Sequence, residues 1–315
     1  MNMQNRLGQA VGQVAESQLS VDAAGTGPIL PGPRGLAKPP MIVEPARLWF
    51  LSAVVVYGIG MLYSIFIWQR GFQRDNWIHY GLLAFAFALH TVAMAKRGFS
   101  LNQCPVNNLY EATAFVLWTI TASSLALGLL PKLRFLGVFT SPLLFGFGLF
   151  ALWPGLDTEY VDNQPNFSSD WFSLHVPIVL LGYGAFGLGA TAGSMFLNQE
   201  RNLKSHRAVA LFALLPPIQR LEKIITAALV VGLTLLTIGV GIGAAFVEPS
   251  TPFWSDSKTI WSFLVWSIYG GLLLSHLRFD QRGRRYAWLA IIAFCFVILT
   301  FWGTNLLSGI HNPTP

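Results

Sequence analysis

The sequence predicts an all-α, polytopic integral membrane protein of about eight transmembrane helices, and three observations predict it. Apolar residues make up 53% of the 315-residue chain and charged residues only 11%, against roughly a quarter charged in soluble domains. The apolar residues fall in long continuous runs close to the ~20 residues a bilayer span needs, without the period-two alternation of a membrane β-barrel. Lys and Arg gather in alternate connections between the runs, as they do when charge sorts a multi-pass chain across a membrane.

In chain order the runs cover residues 47–68, 77–95, 108–130, 134–152, 171–197, 223–247, 258–276 and 286–307. Each is bounded by helix-end punctuation. Arg70, Arg74 and Asp75 follow the first, Lys96 and Arg97 the second, and Pro131 and Arg134 divide the third from the fourth. Pro154 to Asp170 separate the fourth from the fifth, Arg201 to Arg220 the fifth from the sixth, Pro249 to Asp256 the sixth from the seventh, and Asp280 to Arg285 the last pair. The fourth run is interrupted by Pro142, Gly146 and Gly148. Residues 1–45, including "GTGPILPGPRGLAKPP", read as a disordered polar tail without the apolar core of a signal peptide. Met41 is a second candidate start, and the membrane domain is expected over 46–311.

Basic residues orient the spans. One set of connections carries thirteen Lys or Arg residues and the other only three, Lys96, Arg97 and Lys258. The long 153–170 connection of the second set holds Asp157, Glu159, Asp162 and Asp170 and nothing basic. The first set is therefore expected in the cytoplasm, and eight spans then place both termini outside. The net charge of +6 follows from this topology and implies no nucleic-acid partner; the lipid bilayer is the environment.

Two isolated cysteines, Cys104 and Cys295, form no C-x-x-C or C-x-x-C-H motif, which excludes covalently attached c-type haem and thiol-disulfide chemistry of the usual pattern. The six histidines are more informative, since a membrane histidine is costly and tends to be functional. His175 begins the fifth run and His311 follows the eighth, both on the outer side; His276 closes the seventh at the inner face, with His79 and His206 also inside. His90 is expected about a turn from the outer end of its helix, in a polar cluster with Tyr110 and Glu111. Two imidazoles on one side, beside the aromatic loop "PFWSDSKTIW" at 252–261, suit a bis-histidine haem. An interfacial aromatic belt with a helix cap at Asp256 accounts for the same loop without a ligand.

Several segments resemble one family. "CPVNNLYEATAFVLW", "LHVPIVLLGYGAFG" followed by "FLNQERNLK", "DSKTIWSFLVW", "LSHLR" and "GTNLLSGIHNP" are similar, in order and spacing, to the CcsA/ResC-type cytochrome c biogenesis proteins, a tryptophan-rich haem-handling superfamily with HemX-like relatives. The resemblance spans about Asn107 to His311, with Asp256, Lys258, Trp261, Phe263 and Trp266 on the motif of the seventh helix. Where the family's external loop carries tryptophans, this chain has Ser255, Phe253 and Pro249, with Trp254 one place out of register.

The resemblance implies a bacterial cytoplasmic membrane and transient binding of haem b. It makes His175 and His311 the external axial ligands of the haem iron, and His276 the inner histidine where haem enters. Phe253 and Trp254 would lie against the porphyrin, with Asp256, Lys258 and Trp261 completing the cofactor-binding set. It further implies apocytochrome c and a CcsB/ResB-type membrane protein as partners, and leaves open membership of a cytochrome c haem lyase (synthase) complex. A HemX-like regulator of haem biosynthesis and a transporter or scaffold of unknown cargo remain alternatives.

Overall fold

The computed structural model describes residues 45–69, 77–101, 106, 108–130, 133–157, 170–204, 216–246, 255, 257–279 and 282–307. The predicted tail of residues 1–45 lies, but for its last residue, outside them. Every regular element among the described residues is a helix: α1 (Pro45–Gln69), α2 (Trp77–Leu101), α3 (Leu109–Gly128), α4 (Leu136–Ala151), α5 (Asp170–Lys204), α6 (Ile218–Phe246), α7 (Ser257–Arg278) and α8 (Arg284–Leu307). Seven are long and apolar enough to cross a membrane, and α4, at 16 residues, is shorter. At 1.5 Å per residue α4 spans about 24 Å, under the roughly 30 Å hydrocarbon thickness. The punctuation that marked this run explains it: Arg134 and Pro154 bracket it, and Pro142 costs one internal hydrogen bond.

α4 nevertheless carries the chain between the two ends of the bundle. Near its start Ser141 hydrogen-bonds His79 at the beginning of α2, and just past its end the Leu152 carbonyl accepts from Arg47 at the beginning of α1. The alternation of ends read from the basic residues therefore persists through the short helix.

α5 is the central helix, packed by α3, α4, α6 and α8, while α1 lies against α2 and α4. Hydrophobic burial gives helices in lipid little reason to associate, so small residues that allow close approach decide where they meet. At the α5–α6 crossing, a β-carbon on Gly182 would stand 3.0 Å from the Gly232 carbonyl oxygen, and the Phe186 ring fills the place of a Gly232 side chain. Phe186 also stacks on Tyr269 of α7 with ring centroids 3.5 Å apart. Large apolar residues left on the outside, such as Leu62, Phe85, Leu274 and Leu299, face the surroundings, as lipid-facing side chains do.

Candidate functional site

Antiparallel packing gathers the start of α5, the end of α6, the start of α7 and the end of α8 at one end of the bundle. The Trp266 indole donates to Thr237 of α6 at 2.9 Å, and Trp261 packs on Phe296 of α8 at 5.3 Å. Gly239, near the end of α6, lets the helix approach the His175 carbonyl: a β-carbon there would be 3.1 Å from that oxygen. His175 lies in the second turn of α5, half-buried. The helix runs unbroken through Pro177. The missing Pro177 N–H removes only the bond to the Ser173 carbonyl, close to the helix end.

Lys258 takes its place in the first turn of α7. Trp261, one turn on, is 7% exposed, and the neighbouring Ser262 receives a hydrogen-bonding partner in Tyr183 of α5. The Trp261 ring thus belongs to the packing that fixes the beginning of α7. Phe253, Trp254, Asp256 and His311 lie outside the described residues, as do Cys104 and His206.

His276 closes α7 at the opposite end. Its ring stacks on Tyr286 of α8, centroids 4.2 Å apart and 16° from parallel. Nε2 lies 3.3 Å from the Thr226 hydroxyl and Nδ1 3.9 Å from the Glu222 carboxylate, both on α6. Three helices therefore set the orientation of this imidazole. Its partners stand about fifty residues away or on the next helix, beyond the reach of any local pattern.

The α1–α4 half holds polar groups that the sequence reading placed differently or missed. His90 sits in the middle of α2 rather than a turn from its end, because α2 extends to Leu101. It is fully buried, with Nδ1 3.2 Å from the Tyr57 hydroxyl, which in turn lies 3.1 Å from Thr121. The expected cluster with Tyr110 and Glu111 does not form. The Phe50 ring stands between His90 and Tyr110, at 4.9 and 5.4 Å, and Glu111 pairs instead with Arg97 at 2.7 Å. His79 is held by Ser64 and Ser141, each 3.0 Å from Nε2. A signal was available for Glu111: a carboxylate in the first turn of a span needs a cation, and Arg97 ends the preceding apolar run.

A family model described as cytochrome C assembly protein matches residues 106–311. The chain belongs to this family. The matched region runs from just before α3 past the end of α8, so His79, His90 and Arg97 precede it while His175, His276 and His311 fall within it. Among similar proteins, the Wolinella succinogenes protein NrfI is 31% identical over 72% of this chain and 25% of its own length. The Guillardia theta cytochrome c biogenesis protein CcsA is 24% identical over 84% of this chain and 93% of its own. The Bacillus subtilis protein HemX is 24% identical over 82% and 95%. The chain thus spans about a quarter of NrfI but nearly all of CcsA and HemX. The described candidate residues of this chain divide between two ends of the helix bundle, His175 and the start of α7 at one and His276 at the other.

Proposed function

We propose that the protein handles haem in cytochrome c maturation, holding haem b transiently at the external membrane face for attachment to apocytochrome c. The observation that carries this reading is the half-buried His175 at the end of the bundle where α7 begins and α8 closes. His311 follows the end of α8 by four residues in the sequence. Among the described residues no group of three or more His, Cys, Asp or Glu is placed to hold a metal ion. A porphyrin that brings its own four nitrogen donors asks only for two axial imidazoles, which fits a site of this kind.

In this reading His175 and His311 bind the iron, Lys258 offers charge to a propionate, and Phe253 and Trp254 cover the porphyrin face while Asp256 caps α7. Trp261 anchors the helix that presents them. His276, held by stacking and by two polar neighbours, receives haem at the cytoplasmic end. Haem supplies the vinyl groups, and the apocytochrome thiols add to them. The chain's part is to bind, orient and shield, beside apocytochrome c and a CcsB/ResB-type partner.

Replacement of His175 or His311 by Gly tests it. Each variant is expected to lose c-type cytochrome formation and the low-spin haem bands of the purified protein, with partial recovery when imidazole fills the vacant axial position. Normal maturation by both variants, with no haem bands in the parent protein, would sink the proposal. A HemX-like regulatory role is favoured by a different observation, the match across 95% of HemX's length in a chain with Ser255, Phe253 and Pro249 at expected tryptophan positions. That role predicts loss of a haem-biosynthesis phenotype while cytochromes still mature.

A further inference from the structure

The basic ends of α5 and α8 part to form a cavity of about 780 Å³ lined by Ser194, Leu197, Asn198, Glu200, Arg201, Lys204, Arg284, Trp288 and Ile291. The lining follows helical spacing. On α5, residues 194, 197, 198, 201 and 204 share one face, and on α8 residues 284, 288 and 291 do the same. Chemistry changes steadily along both faces. Arg201, Lys204 and Arg284 stand at the mouth, Leu197 and the half-exposed indole of Trp288 come next at about 6 Å, and Ile291 and the small Ser194 lie about 10 Å deep at 1.5 Å per residue.

Glu200 answers only part of the charge. Its carboxylate lies 2.6 Å from the Lys204 ammonium and 4.0 Å from the Arg284 guanidinium, so one anion faces three cations. Arg201 has no ion-pair partner among the described residues. At 35 residues α5 is about 52 Å long, which carries its basic end beyond a ~30 Å hydrocarbon core into the headgroup layer. The groove is therefore cationic where headgroups lie and apolar where acyl chains begin, with a tryptophan at the boundary, as interfacial anchors are.

We infer that this groove between α5 and α8 binds an anionic phospholipid of the adjoining leaflet, its phosphate at Arg201, Lys204 and Arg284 and its acyl chain along Leu197 and Ile291. Its volume lies within the range of small-molecule sites, and basic pockets between spans recognise anionic headgroups through the same charges. Glu200 orients Lys204 and Arg284 around the headgroup. The inference stands apart from the haem reading, since His175 and His276 do not line the groove.

The test uses the delipidated full-length protein in neutral detergent, given dioleoylphosphatidylglycerol or dioleoylphosphatidylcholine and weighed by native mass spectrometry. One phosphatidylglycerol is expected to remain bound under conditions that strip phosphatidylcholine. The triple variant Arg201→Ala, Lys204→Ala, Arg284→Ala should bind it on the order of a hundredfold more weakly, at roughly fivefold per cation. Arg278→Ala, at the same end but outside the groove, should bind it as the parent does. Ser194→Leu, which fills the deep end and leaves every charge in place, should also reduce retention. Equal retention of both lipids, or an unchanged triple variant, would overturn the assignment. Displacement of the lipid by haemin, with haemin binding lost in the triple variant, would make the groove a haem site and overturn it too.

Discussion

Removing Arg97 should cost more stability than removing its carboxylate partner. The Arg97 Nε lies 2.7 Å from Glu111 and its terminal nitrogen 2.8 Å from Asp157, with side-chain exposures of 13%, 2% and 13% for Arg97, Glu111 and Asp157. Asp157 has two further partners, Asn108 at 3.0 Å and Arg47 at 3.8 Å. Glu111→Leu therefore leaves Arg97 and Asp157 still paired, for a loss of about 1.5–3 kcal/mol, that of one charge-assisted hydrogen bond. Arg97→Leu strands the most buried charge of the group and should cost about 3–5 kcal/mol, the range for breaking a buried pair from one side. The double variant should then recover part of that cost, with a coupling of about 1–3 kcal/mol. SDS titration of the refolded protein in mixed micelles, followed by circular dichroism, measures all three. If Glu111→Leu proves the more damaging, or the two costs add within about 0.5 kcal/mol, the network does not hold α1, α2 and α3 as described.

Other outcomes follow from the same structure. Gly232→Leu should separate α5 from α6, because Phe186 and the Gly182 carbonyl already fill that space; the expected loss of monodisperse protein on gel filtration is checked against Gly241→Leu, where nothing lies within 4 Å. Tyr57→Phe should cost only about 0.6–1.7 kcal/mol in the same SDS titration, the range for interhelical hydrogen bonds in membranes, although it removes His90's bond to the Tyr57 hydroxyl. Alkaline phosphatase fused after Asp162 should be active and the same fusion after Arg282 inactive; the reverse would turn the proposed haem face to the cytoplasm. His276→Ala should lower haem occupancy in purified protein while the helical content stays, and unchanged occupancy would leave His276 as a packing residue on Tyr286.

What could be read from the chain and what could not divide along physical lines. Burial in lipid imposes length and continuity on a span, so helices showed themselves in the apolar runs; the fourth run, read over 134–152 with Pro142, Gly146 and Gly148 as interruptions, forms the shorter α4 of 16 residues. The ends were less legible. α5 extends seven residues past the expected 197 to Lys204, because a helix does not stop where hydrophobicity does when Gln199, Glu200 and Arg201 are good helix formers. His90 was placed wrongly for the same reason: the helix continues past Lys96 and Arg97, and the charges end the apolar run without ending the helix. Partners across helices, such as Thr226 with His276 or Ser141 with His79, depend on packing angles that no one-dimensional pattern records. His175 was recognisable at a helix start, whereas the splaying of α5 from α8 that opens the groove has no counterpart in either helix alone.

Pro177 divides α5 into two parts with different freedom. From Leu180 to Phe196 the helix is gripped on all sides, with Tyr183, Phe186, Ala192 and Met195 almost wholly buried. On the other side of the proline only two turns remain, and they lack the amide that would tie Ser173 to the shaft. Local opening takes place where backbone bonds are few and contacts sparse, so hydrogen exchange in α5 should be fast before Pro177 and slow after Leu180. The imidazole of His175 rides on the fast segment. Under the haem reading proposed above, His175 would release its iron to an incoming partner by unravelling those turns alone, at a cost set by two turns of helix and not by the stability of the bundle.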